Sequence, residues 1–435
     1  MLMTLLAATT AALPLLVPRG PGNTAPVDIF AALFVLAVVV QTLLSRRRGI
    51  VVPAAGPLLL IALVSASAVL FSVAPGTGLL NLLIEAYLVA LLWAACSELR
   101  GRPDRMAVIT SVWAVAAVFW AFLLVGTQWH LLPGGLQHLL LENDSSGRAA
   151  AAARNPNLAA SFLVTSVFVV MASPWPRSRL VRGGIYAWLM TAVVVSGSNG
   201  ALLGAAAGGV LLLALRIIRR SSRIGRSLVR ASVAVAAGIA IFAVAEASPT
   251  VNQATADKIA QSSHSNGALR DNVGRINNSV STRVSIWSSA LHGGFDHSAL
   301  GVGVGEAQTI QVGGQALGKS LHNDVLAFLL ERGVVGLAAL LLLVAVVLRW
   351  SSRLARAGPV RIDGRLWRLQ GLAAAVTANL VISLTHESYH FRHLWLLLAL
   401  VWAASDLVAV RSPARVPAPA RSFVPVPMRS IRVPA

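Results

Sequence analysis

The sequence predicts an all-α integral membrane protein with about twelve transmembrane helices and one large, partly helical extracytoplasmic loop between helices 9 and 10. Three observations predict it. Of the 435 residues, 56% are hydrophobic and 12% charged, a balance suited to a polytopic membrane protein and not to a soluble domain. Apolar runs approaching the roughly 20 residues that cross a hydrocarbon core recur along the chain. Lysine and arginine fall in alternate segments between those runs, as orientation in a membrane requires.

The twelve apolar runs lie at 2–17, 27–44, 51–73, 79–96, 106–125, 158–172, 184–196, 200–217, 228–247, 334–349, 369–385 and 394–410. The first has the length of a signal peptide, but no basic residue precedes its apolar core, so it is read as a span. The seventh and eighth are separated only by Gly197-Ser198-Asn199, the spacing of a tight hairpin. With the N-terminus in the cytoplasm, the inner segments hold Arg46 to Arg48, Arg100 to Arg105, Arg177 to Arg182, Arg216 to Arg230, Arg349 to Arg368 and the tail. Together they carry 26 of the 36 basic residues. All nine histidines then fall on the outer side, and imidazole is the side chain suited to proton transfer near neutral pH.

The chain divides into spans 1–9 over residues 1–247, a large outer loop at 248–335, spans 10–12 over 336–410, and a proline- and arginine-rich tail at 411–435. The tail is expected to be disordered and cytoplasmic, with anionic membrane lipid as its neighbour. A net charge of +20 has its explanation in these inner loops, so no nucleic-acid partner is expected. The single cysteine, Cys96, excludes an intrachain disulfide and a cysteine-built metal site.

Two outer segments are long. The one at 126–157 carries Arg148, Arg154 and Asn155-Pro156-Asn157. In the loop at 248–335, Asn252 to Ser281 is polar, whereas Val284, Trp287, Ala290 and Leu291 recur at helical spacing. Ser320 is read as the N-cap of a helix from Leu321 to Arg332 that ends at Gly333. His322 stands at its start, where a neutral imidazole can take a proton from a hydroxyl. Glu306 follows the run Gly301-Val302-Gly303-Val304-Gly305 and is read either as a proton acceptor or ligand for sugar hydroxyls, or as a solvated loop carboxylate. That run lacks the strand and helix of a nucleotide fold. Glu85 lies inside the fourth span, either as a functional intramembrane carboxylate or near the outer headgroups. The corner His386-Glu387-Ser388-Tyr389-His390-Phe391-Arg392-His393 is read as sugar-binding or interfacial rather than metal-binding, and Gly204, Gly208 and Gly209 as sites of close helix packing.

His322, Asn323, Gly333 and Gly336, at their spacing before a late span, resemble the signature of the O-antigen ligase and polymerase superfamily, which includes O-linked oligosaccharyltransferases. Arg283-x-x-x-Trp287 with the glycine run, and Arg148-Ala149 followed by Asn155-Pro156-Asn157, resemble further segments of that family. The resemblance implies glycosyl transfer from a polyprenyl-diphosphate-linked glycan donor to a glycan, lipid or protein acceptor, at the outer face of a bacterial inner membrane. It implies that Arg283 is the essential loop arginine, Arg148 a second phosphate contact, and His322 the group that activates or orients the acceptor. Arginine suits such a donor because its planar fork pairs phosphate oxygens two at a time. With that charge supplied, neither a metal nor a cofactor is called for. The family often has an arginine after a serine between spans 7 and 8. Here Asn199, which can hydrogen-bond a phosphate but cannot offset its charge, stands in that place, so either Arg154 or Arg392 substitutes or the donor site differs. The rival reading is a twelve-helix transporter of the major facilitator type, against which stand the single asymmetric loop and the lack of internal symmetry.

Overall fold

The computed structural model describes residues 1–18, 20, 24–45, 51–72, 74–136, 150–153, 155–220, 286–288, 291, 301–307, 311–312, 315–316 and 321–411. Among these residues the chain forms eleven α-helices and two small hairpins. The helices are α1 (Leu2–Ala11), α2 (Pro26–Leu44), α3 (Ala55–Leu70), α4 (Pro75–Leu99), α5 (Pro103–Gln128), α6 (Pro156–Ala172), α7 (Arg179–Val195) and α8 (Asn199–Arg220). After the two-residue strands β1 (Gln311–Val312) and β2 (Gln315–Ala316) come α9 (Asp324–Ala357), β3 (Pro359–Ile362), β4 (Arg365–Arg368), α10 (Gln370–Ser383) and α11 (Arg392–Arg411).

Six of these helices, α2, α4, α5, α8, α9 and α11, are long and apolar enough to cross a membrane, and α1, α3, α6 and α10 are shorter apolar helices. The chain is therefore a mostly helical, multi-pass membrane protein. Proline opens α2, α4, α5 and α6, where its missing N–H costs nothing. Eleven of the twelve apolar runs coincide with a helix; the run at 228–247, like the tail at 412–435, lies outside the described residues.

The structure corrects three details of the sequence reading and bears out a fourth. The first run is helical only to Ala11 and bends away ahead of Pro14; ten residues rise about 15 Å, half a hydrocarbon core. Asn323, not Ser320, caps α9: its Oδ1 accepts from the N–H groups of Val325 and Leu326 at 2.9 and 3.1 Å. The helix does break at Gly333, whose backbone has positive φ (65°), and α9 resumes directly beyond it. The basic stretch ahead of α10 contains the hairpin β3–β4, turning at Asp363-Gly364, both with positive φ.

Successive helices reverse direction, except that α8 and α9 run parallel, with the end of α8 beside the end of α9, so the helices have two dissimilar ends. At one, the arginines of the α4–α5, α6–α7 and α9–α10 connections gather. Arg182 is buried there and donates to the carbonyls of Val170, Met171, Ser173 and Pro176, closing the C-terminus of α6. Arg219 does the same for α9 through the Ala355 carbonyl at 2.6 Å. At the other end lie the starts of α2, α6, α8 and α9 and the α10–α11 corner.

Between the ends, α10 is the centre of the core, packed against α6, α8, α9 and α11. Close approach of α8 rests on Gly204 and Gly208: a Cβ on either would press on the α10 backbone, against Ala378 O at 2.8 Å and Ala374 O at 2.9 Å. Gly209 faces open space and takes no part in this packing. Gly208→Leu is therefore expected to destabilise the fold by about 1–3 kcal/mol, while Gly209→Leu leaves it unchanged. Thermal unfolding of the two purified variants in detergent checks the contrast.

Candidate functional site

His322, Asn323 and Asp324 form the entry to α9. His322 has a left-handed backbone (φ 52°), rare for a residue with a side chain and of the kind that concentrates at functional sites. Three contacts hold it there. Its N–H donates to Glu387 Oε1 at 3.1 Å, the indole N–H of Trp287 donates to the preceding Leu321 carbonyl at 2.8 Å, and the Asn323 cap fixes the following turn. Asp324 is buried, and its carboxylate accepts from Ser388 N–H at 3.0 Å, Ser388 Oγ at 2.8 Å and Tyr389 N–H at 3.2 Å. The α10–α11 corner is thereby locked onto the start of α9. The His322 ring is half-buried and its centroid lies 6.0 Å from that of His386. His386 is buried, its Nδ1 3.1 Å from Thr385 Oγ1. Gly200, at the start of α8, leaves room for both side chains.

The glycine-rich turn fastens to the far end of this helical segment. Val302 and Gly303 donate N–H groups to the carbonyls of Leu330 and Glu331 at 2.9 and 3.1 Å. Those carbonyls have no helical partner because the helix breaks at Gly333. Gly301, Gly303 and Gly305 all have positive φ, and a Cβ on Gly301 would collide with the Glu331–Arg332 backbone. The repeat thus serves backbone-to-backbone docking. Glu306, next in line, is buried and accepts from Ser72 Oγ and from Ala74 N–H at 2.7 Å, tying the turn to the start of α4.

Below the turn lies a buried ionic cluster. Arg332 is 1% exposed and pairs with Glu85 and, at 3.1 Å, with Glu331. Its Nε donates to Ser65 Oγ at 2.9 Å, Ser65 in turn donates to Glu85 at 3.1 Å, and its guanidinium lies over the Phe328 ring at 4.2 Å. The half-exposed His390 stands 3.6 Å from the same Glu85 carboxylate. Glu85 is thus a truly buried carboxylate, matched by a positive charge from another helix.

The sequence-selected residues separate accordingly. His322 and Asn323 stand at the opening of α9, whereas Glu306 belongs to the turn docked at the other end of its first segment. Glu306 is not the solvated carboxylate one reading expected, and its oxygens are occupied in docking the turn. Arg392 does not stand free for a phosphate: its fork pairs with Asp28 at 2.8 and 2.7 Å, and Asp28 also accepts from Tyr87 and from the Ala25 N–H. Asn155 is exposed and caps α6 by accepting from the Asn157 N–H at 2.8 Å. Asn199 opens α8, half-buried. Arg148, Arg154 and Arg283 lie outside the described residues. Sequence reasoning missed Asp28, Asp324 and Arg332; for Arg332 the available signal was a lone cation directly before the glycine that breaks an apolar helix.

Residues 184–341 match the family model described as O-antigen ligase. The matched stretch includes the glycine-rich turn, His322, Asn323, Gly333 and Gly336, and it bears out the resemblance to the O-antigen ligase-like superfamily. The family points to a ligase- or polymerase-like role in polysaccharide biosynthesis. No curated protein matches the chain.

Removing one partner of a buried ion pair leaves the other uncompensated, a loss of about 3–5 kcal/mol. Arg332→Met is expected to show a loss of that size in thermal unfolding. Pairing it with Glu85→Gln is expected to recover part of the loss, which a double-mutant cycle measures directly.

Proposed function

From the O-antigen ligase match, we propose that this chain is a glycosyltransferase, a ligase or polymerase acting at the outer face of the bacterial inner membrane. It moves a glycan from a polyprenyl-diphosphate-linked donor to an acceptor hydroxyl in surface-polysaccharide synthesis. The observation that carries the proposal is the half-exposed His322, held in a left-handed turn at the opening of α9 within the matched stretch. It stands at the end of the helices away from the arginine-rich connections, the end that the positive-inside rule assigns to the outer face.

In this mechanism His322 accepts the proton of the acceptor hydroxyl as its oxygen forms a bond to the anomeric carbon of the donor sugar. The bond from that carbon to the diphosphate oxygen breaks, and the polyprenyl diphosphate leaves with the electron pair. The leaving group gathers negative charge, which Arg283, Arg148 and Arg154 neutralise by paired hydrogen bonds. The start of α8 adds backbone N–H groups and the Asn199 amide beside His386, in the place where the family often has an arginine. That arginine's charge then has to come from Arg148 or Arg154, because Arg392 is committed to Asp28. Asn323 and Glu306 act by fixing the loop that presents His322. With arginine charge supplied, the mechanism needs no metal ion. Ligase and polymerase share this step and differ only in the acceptor.

In a glycan-transfer assay with membranes of equal protein content, His322→Ala is expected to lose about 10²–10⁴-fold in rate. Arg283→Ala is expected to lose about 10²–10³-fold. Full activity in both variants rules the mechanism out.

A further inference from the structure

Six arginines meet one carboxylate where the β3–β4 hairpin lies against α6, close to the start of α7. Residues 173–182 hold Arg177, Arg179 and Arg182, and residues 359–368 hold Arg361, Arg365 and Arg368. Asp363, at the hairpin tip, is the one acid in the two stretches. The arginines of the α4–α5 connection are placed differently. Arg102 and Arg105 pair with Glu98, and Arg100 pairs with Asp406. At the hairpin the protein supplies no such balance, and six arginines less one aspartate leave an excess of five positive charges.

The strand register concentrates that excess. Arg361 stands opposite Leu366, and Arg368 is two residues further along the same face of β4. On the other face Ile362 and Trp367 are buried in the core and fix the hairpin in position. Partial burial, and then the positive charges of Arg182 and Arg179, hold the Arg368 guanidinium below its usual range. Arg182 is committed to the carbonyls that end α6, whereas Arg179 is exposed. Arg179 and Arg368 thus come close to each other from different elements, an arrangement that favours an anion between them.

Orientation in a membrane asks only for positive charge at this end of the helices. It does not ask for hydrocarbon beside the charge. Leu366 is 38% exposed next to Arg361 and Arg368, and Leu180 and Val181, which follow Arg179, are 88% and 52% exposed. Trp175, 40% exposed, belongs to the same connection, and indole favours the headgroup layer. A soluble anion would use the charge and leave the hydrocarbon in water. A phospholipid uses both.

We infer that this patch binds an anionic phospholipid, of the phosphatidylglycerol kind, in the leaflet on the arginine-rich side. Arg179 and Arg368 take the phosphate, Arg361 and Arg365 add attraction from further away, and the acyl chains pass Leu180 and Leu366. The site goes beyond glycan transfer and does not rest on that reading, since it shares neither His322 nor the loop arginines.

The test uses the full chain in phosphatidylcholine nanodiscs that carry a trace of phosphatidylglycerol with a diazirine in its headgroup. Photolabelling followed by peptide mapping is expected to concentrate on residues 173–182 and 359–368. Unlabelled phosphatidylglycerol is expected to displace the label about 25-fold better than added phosphatidylcholine, at about fivefold for each of the two arginines on the phosphate. Arg179→Gln is expected to reduce that preference about fivefold, and Arg179→Gln with Arg368→Gln to abolish it. Arg100→Gln with Arg102→Gln, which removes the same charge from the paired connection, is expected to leave it unchanged. Leu366→Ser is expected to weaken labelling severalfold. Equal displacement by phosphatidylcholine overturns the inference, as does label of equal density on residues 98–105. Displacement by free glycerol phosphate as effective as by the lipid also overturns it, because the site then serves a soluble anion. The competition on the unaltered protein and the exposed Arg179→Gln variant decide the matter even if the double variant fails to fold.

Discussion

The corner between α10 and α11 is the constraint on which the arrangement depends. Within nine residues it sends polar groups to five other helices. Thr385 and His386 meet α8 at Gly200, Glu387 holds the His322 N–H, and Ser388 with Tyr389 holds Asp324 at the start of α9. His390 approaches Glu85 in α4, Arg392 pairs with Asp28 in α2, and His393 meets Ser161 in α6 at 3.1 Å. Half of these corner residues are buried, where an unmatched polar atom costs far more than a matched one returns. The contacts are therefore mutually dependent, and together they over-determine a loop geometry that the His322 backbone would not adopt alone.

A second fastening lies one short helix away. The break at Gly333 frees the Leu330 and Glu331 carbonyls, and the glycine-rich turn occupies them. Glu306 then carries the turn across to α4, while Arg332 ties the same break to Glu85 and Ser65. The segment from His322 to Arg332 is thus clamped at both ends by groups from other helices. For a mechanism in which an imidazole must meet an acceptor hydroxyl at the edge of the membrane, such rigidity replaces motion that would otherwise have to be frozen in each turnover.

Much of the fold was legible in the sequence because membrane helices obey a length rule and prolines mark their starts. The breaks were legible where a glycine needed positive φ, as at Gly333. The hairpin at Val360-Arg361-Ile362-Asp363-Gly364-Arg365-Leu366-Trp367 carried its own signal, an Asp-Gly between alternating apolar residues. That signal is masked by the basic charge of the stretch, which membrane orientation alone accounts for. The site was less legible, since the role of a charged residue depends on partners that sequence distance hides. Arg392 reads as a free cation until Asp28, 364 positions earlier, is placed beside it. Glu306 reads as a loop carboxylate until Ser72 and Ala74 arrive from between α3 and α4. Gly204 and Gly209 look alike in sequence, yet only the first faces a helix.

Glycan transfer at His322 requires the His322 end and the hairpin end of the helices to face opposite sides of the membrane, with the histidine outside. The most direct measurement is labelling of single-cysteine variants in intact protoplasts with a membrane-impermeant maleimide, on a Cys96→Ser background. Ser288→Cys, beside the tryptophan that holds the Leu321 carbonyl, is predicted to react at once. Asp363→Cys, at the exposed tip of the β3–β4 turn, is predicted to react only after the membrane is opened. The reverse pattern, with position 363 labelled and position 288 protected until lysis, contradicts the account.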